Sequence, residues 1–343
     1  MTLVEPVQPA VPVPAPLLRV RDLAVEFSTS AGVVRALDGV SFDVAAGETL
    51  AILGESGSGK SVTAQAIMAL LPKPAGSIAG GAIVYNGIDL AARSVAQVRE
   101  LCATEIATIF QDPLSSLNPV FRIGYQVAEP FRRRLGMGKR EAWAKALELL
   151  KRVGIPDAET RIKDYPHQFS GGQRQRIMIA MAIALDPKLL IADEPTTALD
   201  VTVQAQIMRL LADLQAETGM AMILISHDLG VVADVAERAA IMYAGRIVET
   251  ARIREMYDHP AHPYTKGLLD SIPSAAAIGE RLTPIVGSPP NLLALPTGCS
   301  FHPRCPFAVD ACRRTDPALR RPDGWEEGHL AACIRSEEVL SHG

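Results

Sequence analysis

An α/β fold with a parallel sheet at its centre is predicted by three features of this 343-residue chain. The first is the string Gly54-Glu55-Ser56-Gly57-Ser58-Gly59-Lys60-Ser61, which follows the apolar run Thr49–Leu53 and precedes a helical stretch. The second is a pair of short apolar runs, Leu189–Ala192 and Met222–Ile225, of the kind that form strands buried on both faces. A helical segment over about Val201–Glu217 joins them into a β-α-β unit. The third is a set of alternating segments flanking the glycine string. Leu18–Val20, Leu23–Phe27 and Val40–Val44 read as antiparallel strands.

The remaining elements follow in chain order. Residues 1–16 are Pro-rich and read as an extended or disordered arm, with ordered structure starting near Leu17. The helix after the glycine string is expected from Lys60 to about Leu71. Gly81–Tyr85 followed by Asn86-Gly87 predicts a strand entering a tight turn. From about Ser94 to Ala184 the pattern is helical. Ala142, Trp143, Ala146, Leu147, Leu149, Leu150 and Val153 lie at helical spacing on one apolar face, where Trp143 reads as core, and Gly154 suits a C-cap. Ile177–Leu185 continues as a helix that stops before Asp186-Pro187. Ala240–Tyr243 and Arg246–Glu249 read as a closing hairpin. After about Ala251 the composition shifts to Pro, His, Arg and Cys. The division expected is an arm over 1–16, a main unit over 17–255 whose helical part spans about 112–184, and a C-terminal module over 256–343.

Charge and hydropathy exclude several classes. With 34 basic against 38 acidic residues the net charge is −4, which gives no electrostatic case for nucleic acid or an anionic membrane surface. No stretch reaches the roughly 18 apolar residues of a membrane span. The longest candidate, Ile177–Ala192, is cut by Asp186-Pro187-Lys188. The N-terminus lacks the basic and apolar regions of a signal peptide. The expectation is a cytosolic chain, free or docked on a membrane partner.

The chemistry lies in a few strings. The string at 54–61 matches G-x-x-x-x-G-K-[ST], in which backbone N–H groups turn inward around phosphate oxygens, Lys60 faces the β- and γ-phosphates and the Ser61 hydroxyl ligates Mg²⁺. The following helix aims its positive end at the same phosphates. Leu189–Ala192 runs into Asp193-Glu194. Asp193 is placed to hold Mg²⁺, directly or through water, and Glu194 to polarise a water for attack on the γ-phosphate. Phe169-Ser170-Gly171-Gly172-Gln173 precedes a helix beginning near Arg174 and offers a hydroxyl and bare amides to an anion, although in isolation it reads equally well as an ordinary N-cap.

Together these residues resemble the ATP-binding-cassette (ABC) ATPases, whose markers occur here in order over about residues 17–255. The phosphate loop matches Gly54–Ser61 and the nucleotide-linked glutamine matches Gln111. The signature matches Ser170–Gln173, with Phe169 where many members have Leu. The Mg²⁺ aspartate and catalytic glutamate match Asp193 and Glu194. The interface loop matches Ala198-Leu199-Asp200, and the switch histidine matches His227. The resemblance implies a P-loop NTPase cassette with a RecA-like parallel core, an antiparallel β subdomain and an α-helical signature subdomain, here followed by a small Cys-rich C-terminal module. It also implies two cassettes facing head to tail, each MgATP held between one phosphate loop and the other chain's signature helix. In that arrangement His227 contacts the γ-phosphate, Gln111 reaches Mg²⁺ and the attacking water, and an aromatic ring stacks on adenine. Phe27 matches that ring, or else is a core strand residue.

Longer strings are similar to the oligopeptide/dipeptide importer subfamily: Gln111–Pro119, Tyr165–Ser170 and His262–Leu269. The segment after Gln111 then receives a short cytoplasmic helix of a permease. The implied role is the ATP-hydrolysing subunit of a peptide importer at the cytoplasmic face of the inner membrane. Its implied partners are a second, different ATPase chain, two permease subunits and an extracytoplasmic solute-binding protein. Uptake of nickel chelates or sugars is an alternative with closely similar ATPases. A non-transport ABC ATPase is a further one, which lacks support in any second cassette, coiled coil or basic surface.

Cys299, Cys305, Cys312 and Cys333 are separated by five, six and twenty residues. Disulfides are disfavoured in a cytosolic chain, so four thiolates on one metal centre are expected, either Zn²⁺ or an iron–sulfur cluster, with unmetallated thiols as the remaining reading. The spacing lacks the C-x-x-C knuckle of structural zinc. The tail also resembles that of peptide-importer ATPases carrying a [4Fe–4S] cluster, which would be a structural staple or a redox sensor. Cys102 stands apart and reads as a small core residue.

Overall fold

The computed structural model describes residues 15–112, 116–197, 199–272, 284–322, 325 and 328–340. Most of the Pro-rich arm, residues 113–115 of the Gln111–Pro119 string and Ala198 of the interface loop lie outside them.

A seven-stranded sheet forms the centre, in the order β11-β10-β9-β3-β8-β7-β6. Its parallel part comprises β3 (Thr49–Leu53), β6 (Ile106–Ile109), β7 (Leu189–Asp193), β8 (Ala221–Ser226) and β9 (Arg238–Tyr243). β9 turns back antiparallel into β10 (Arg246–Arg252), and β11 (Leu330–Ala331) adds an edge. β3 shows why these strands read as continuous apolar runs. Ala51 and Leu53 enter one core and Leu50 and Ile52 the other, so both faces of the pleat are buried.

One core joins the sheet to the helical region, formed by α3 (Ile123–Arg134), α4 (Lys139–Arg152), α5 (Ala158–Arg161) and α6 (Gly171–Ala182). The other joins it to α1 (Lys60–Ile67), α2 (Val95–Cys102) and a four-stranded antiparallel sheet of order β2-β1-β4-β5. That sheet holds β1 (Leu18–Thr29), β2 (Gly32–Val44), β4 (Gly76–Tyr85) and β5 (Ile88–Asp89). Asn86 and Gly87, both at positive φ, make the expected tight turn between β4 and β5. α7 (Val201–Thr218) links β7 to β8, with Asp200 as N-cap accepting from the Val203 amide.

Three expectations are corrected. The helical stretch from Ser94 is interrupted by β6, whose four residues pair with β7 at the sheet edge. α1 ends at Ile67, followed by Ala69 at positive φ, rather than reaching Leu71. α6 starts at Gly171 rather than near Arg174, because Ser170 and Gln173 form a reciprocal capping box that outweighs the poor propensity of two glycines.

The tail after α8 (Leu229–Val232), α9 (Ile253–Asp258) and α10 (Pro263–Asp270) folds back on the main sheet and ends in α11 (Ser336–Leu340). Tyr264, Leu268 and Phe301 belong to the core shared with the helical region. Fully buried Glu249 on β10 fastens the tail, accepting from the amides of Ala261 (2.8 Å) and His262 (2.9 Å), with His329 Nε2 at 2.8 Å.

His262 caps α10 through Nδ1, which accepts from the Tyr264 amide at 3.0 Å. Burial pushes its pKa down from 6.5 to about 3. The folded chain keeps this ring neutral, whereas the unfolded chain protonates it below about 6.5. Acid therefore costs stability between those two values, by up to about 1.4 kcal/mol per pH unit. His262→Asn retains a capping oxygen without the titration. Denaturant midpoints measured from pH 6.5 to 4 should fall less steeply for the variant than for the parent; parallel profiles would exclude this role.

Candidate nucleotide site

The phosphate loop is shaped by close backbone approach. Gly54 has φ +149°, and a Cβ there would collide with the Met242 carbonyl on β9. Gly59 has φ +108°, and its Cβ would fall 2.7 Å from Leu37 Cδ2. Lys60 opens α1 and is only 4% exposed. Its Nζ donates to the carbonyls of Gly54 (2.8 Å) and Glu55 (3.0 Å) and lies 4.0 Å from Glu194 Oε1. Burial lowers its pKa, while Glu194, Asp193 and Glu55 pull the other way.

The acidic pair comes from the end of β7. Ser61 Oγ donates to Asp193 Oδ1 at 3.0 Å, and burial raises the Asp193 carboxyl above its ordinary value. Glu194 sits at φ +47°, a conformation that costs an L-residue energy and recurs where geometry is fixed for function. Its amide donates to Ile225 O at 2.9 Å on β8. Its Oε2 accepts from Gln111 Nε2 (2.8 Å) and Thr197 Oγ1 (2.9 Å), and His227 Nδ1 lies 3.5 Å away. Lys60, Ser61, Gln111, Asp193, Glu194 and His227, drawn from the ends of four parallel strands, thus form one cluster. A buried cation, a hydroxyl–carboxylate pair and a carboxylate held by three polar neighbours are what phosphate binding, Mg²⁺ ligation and water activation require.

Other expected residues stand elsewhere. Ser170 Oγ accepts from the Gln173 amide, and Gln173 Oε1 accepts from the Ser170 amide (3.2 Å) and from Arg161 (3.2 Å). Gly171 faces Leu199, and a side chain on Gly172 would collide with Val203 at the start of α7. These contacts run to the helical region and α7, and none reaches the 54–61 loop among the described residues. Phe27 is half-buried on β1, its ring against Gly76 of β4.

Cys299, Cys305, Cys312 and Cys333 are free thiols lining one small apolar cavity with Phe301 and Phe307. The Cys299 amide donates to Cys312 O at 2.9 Å. Burial raises the Cys299 thiol and pushes Cys305 up to about 12 and Cys333 to about 11. The expected metal centre is not formed as such. Among the described residues no three His, Cys, Asp or Glu side chains converge closely enough to hold a single metal ion. Cys102 ends α2, half-buried against the second core, as expected.

Sequence reasoning missed Thr197, whose only signal is its position three residues after Glu194. It also assigned no role to Tyr264 or Arg304, which reach the phosphate loop from the tail.

The fold and the cluster define a phosphate-loop ATPase. Comparison with known families narrows this. Residues 37–197 match the model described as ABC transporter, and residues 248–312 match that of the oligopeptide/dipeptide transporter C-terminal region. A probable peptide ABC transporter ATP-binding protein of Sinorhizobium fredii is 50% identical over 326 residues, covering 95% of this chain and 96% of the relative. A putative peptide import ATP-binding protein of Brucella ovis is 48% identical over 337 residues, covering 95% and 99%. Among solved structures, a dimeric ATP-binding cassette in a post-hydrolysis state, bound to ADP and Pi, aligns with a TM-score of 0.62 at 28% identity. It covers 69% of this chain and 99% of that one. The chain belongs to the ABC transporter family of ATP-binding proteins. No helix among the described residues is long and apolar enough to cross a membrane.

Proposed function

We propose that this chain is the ATP-hydrolysing subunit of a peptide importer. The observation that carries the proposal is the match of residues 248–312 to the oligopeptide/dipeptide transporter C-terminal region, in a chain that is similar to peptide-import relatives along nearly its whole length. Lys60 and the loop amides hold the phosphates, Ser61 and Asp193 the Mg²⁺ ion with Gln111 beside it, and Glu194 with His227 the attacking water. Phe27 stacks on adenine. Ser170–Gln173 and Asp200 serve the site of a second, homologous ATPase chain, in a heterodimer whose closure drives two permease subunits. The complex sits at the cytoplasmic face of the inner membrane and receives solute from an extracytoplasmic binding protein.

The test is uptake by cells lacking this chain. Labelled di- and oligopeptide uptake should be lost and restored by the parent chain but not by a hydrolysis-dead variant. Normal peptide uptake with loss of nickel-chelate or sugar uptake would replace the solute class.

The four free thiols lining one apolar cavity are the donor type that a [4Fe–4S] cluster would use. When bound, the cluster ties four points of a loop-rich segment together. Protein purified anaerobically should be brown, with iron and sulfide in equal amounts. A colourless preparation with stoichiometric zinc would overturn this assignment.

A further inference from the structure

The tail grips the phosphate loop at one residue, Glu55. The Glu55 amide donates to Tyr264 Oη at 2.8 Å. Its carboxylate takes both arms of Arg304, Nη1 to Oε2 at 2.6 Å and Nη2 to Oε1 at 3.0 Å. The Arg304 side chain is 5% exposed, its Nε donates to Val286 O at 3.1 Å, and its guanidinium lies over the rings of Tyr243 (5.9 Å) and Phe301 (6.0 Å). Tyr264 is fully buried, with its ring centroid 4.7 Å from that of Tyr243 and 5.3 Å from that of Phe301. The remaining polar group of Glu55, its carbonyl, accepts from Lys60 Nζ. One loop residue is therefore held by the tail on two sides and by the phosphate-facing lysine on the third.

A carboxylate beside a triphosphate is an electrostatic liability, because like charges in a partly desolvated site repel strongly. A planar guanidinium, forked onto both carboxylate oxygens, cancels that charge and fixes its direction. We propose that Arg304 and Tyr264 are positioning residues of the ATP site: they hold Glu55 in the tail, so that the loop stays set for phosphate and its one carboxylate is neutralised. The inference rests on the 54–61 loop holding ATP. It gives the segment between Cys299 and Cys305 a role in nucleotide affinity beyond that of a scaffold.

The sign of the effect distinguishes this role from a structural one. In the full chain, Arg304→Met leaves the Glu55 carboxylate charged and unpaired, and Kd for MgATP should rise roughly tenfold, as for an uncompensated partner of a close charge pair. Adding Glu55→Gln to that variant removes the repelling charge and should recover most of the loss. Arg304→Lys should cost only about threefold, since charge remains while the fork is lost. Tyr264→Phe should weaken binding independently, and its effect should multiply with that of Glu55→Gln, because it acts on the amide. In steady-state hydrolysis the Arg304→Met change should appear mainly in KM, since a phosphate cradle serves substrate and transition state alike. Metal content and thermal unfolding are followed in each variant. Should Arg304→Met fail to fold, Arg304→Lys with and without Glu55→Gln carries the same test. A parent-like Kd for the arginine variants, or losses that multiply with Glu55→Gln instead of being rescued, would overturn the proposal. A parent that does not bind MgATP would instead fail the reading of the loop.

Discussion

Glu194→Gln should abolish steady-state ATP hydrolysis, lowering kcat by about 10²- to 10⁴-fold while leaving MgATP bound. The carboxylate has been put where a proton acceptor is needed. It ends a buried strand, sits at φ +47° and is tethered through its amide to β8. Gln111 and Thr197 both donate to Oε2, and His227 lies 3.5 Å off, so the other oxygen, 4.0 Å from Lys60, is the less engaged one. Glutamine has nearly the same shape but takes no proton. It also removes a negative charge near the phosphates, so affinity should hold or improve. Single-turnover hydrolysis and nucleotide retention on a gel-filtration column check both halves. A kcat within tenfold of the parent would remove Glu194 from the chemistry, and a lost affinity would make it a binding residue instead.

Most of this cluster is legible in the sequence because each member is tied to a local pattern. Asp193 and Glu194 follow an apolar run too short for a helix, and Lys60 and Ser61 close a glycine string that only a strand-to-helix turn accommodates. β6 is illegible for the opposite reason. Ile106-Ala107-Thr108-Ile109 carries no alternation, and what makes it a strand is its register, Ile106 on Leu189 through Ile109 on Ala192. The start of α6 was readable from Ser170 and Gln173, whose capping box the two glycines between them disguise. The contacts of Glu55 with Tyr264 and Arg304 close over 209 and 249 residues of sequence, and no local pattern encodes such a pairing. The cysteines lie between these cases. Their spacing announces a shared site, and the fold does gather them around one cavity, but the loops between them, which no local pattern encodes, decide how closely the thiols converge.

Lys60→Met should lower MgATP affinity by on the order of a hundredfold, equivalent to about 2.7 kcal/mol, through loss of the one cation buried in the loop. The 4%-exposed ammonium is held by two loop carbonyls and faces Glu194, with Asp193 and Glu55 also attracting its charge. Without it, Asp193 and Glu194 meet the incoming phosphates directly, and the carbonyls of Gly54 and Glu55 lose their donor. Methionine keeps the length and apolar stem, so α1 should pack as before and the loss should be one of charge rather than of fold. The same change should leave Asp193 still harder to ionise, since Lys60 is the cation that opposes its burial. A thermal-shift titration separates these effects. The parent melting temperature should climb with MgATP, because a ligand that binds only the folded chain stabilises it by mass action. The variant should melt near the parent's nucleotide-free temperature and stay there at the same concentrations. A parent-like rise in the variant would mean that the loop amides and the α1 dipole bind the triphosphate without this lysine.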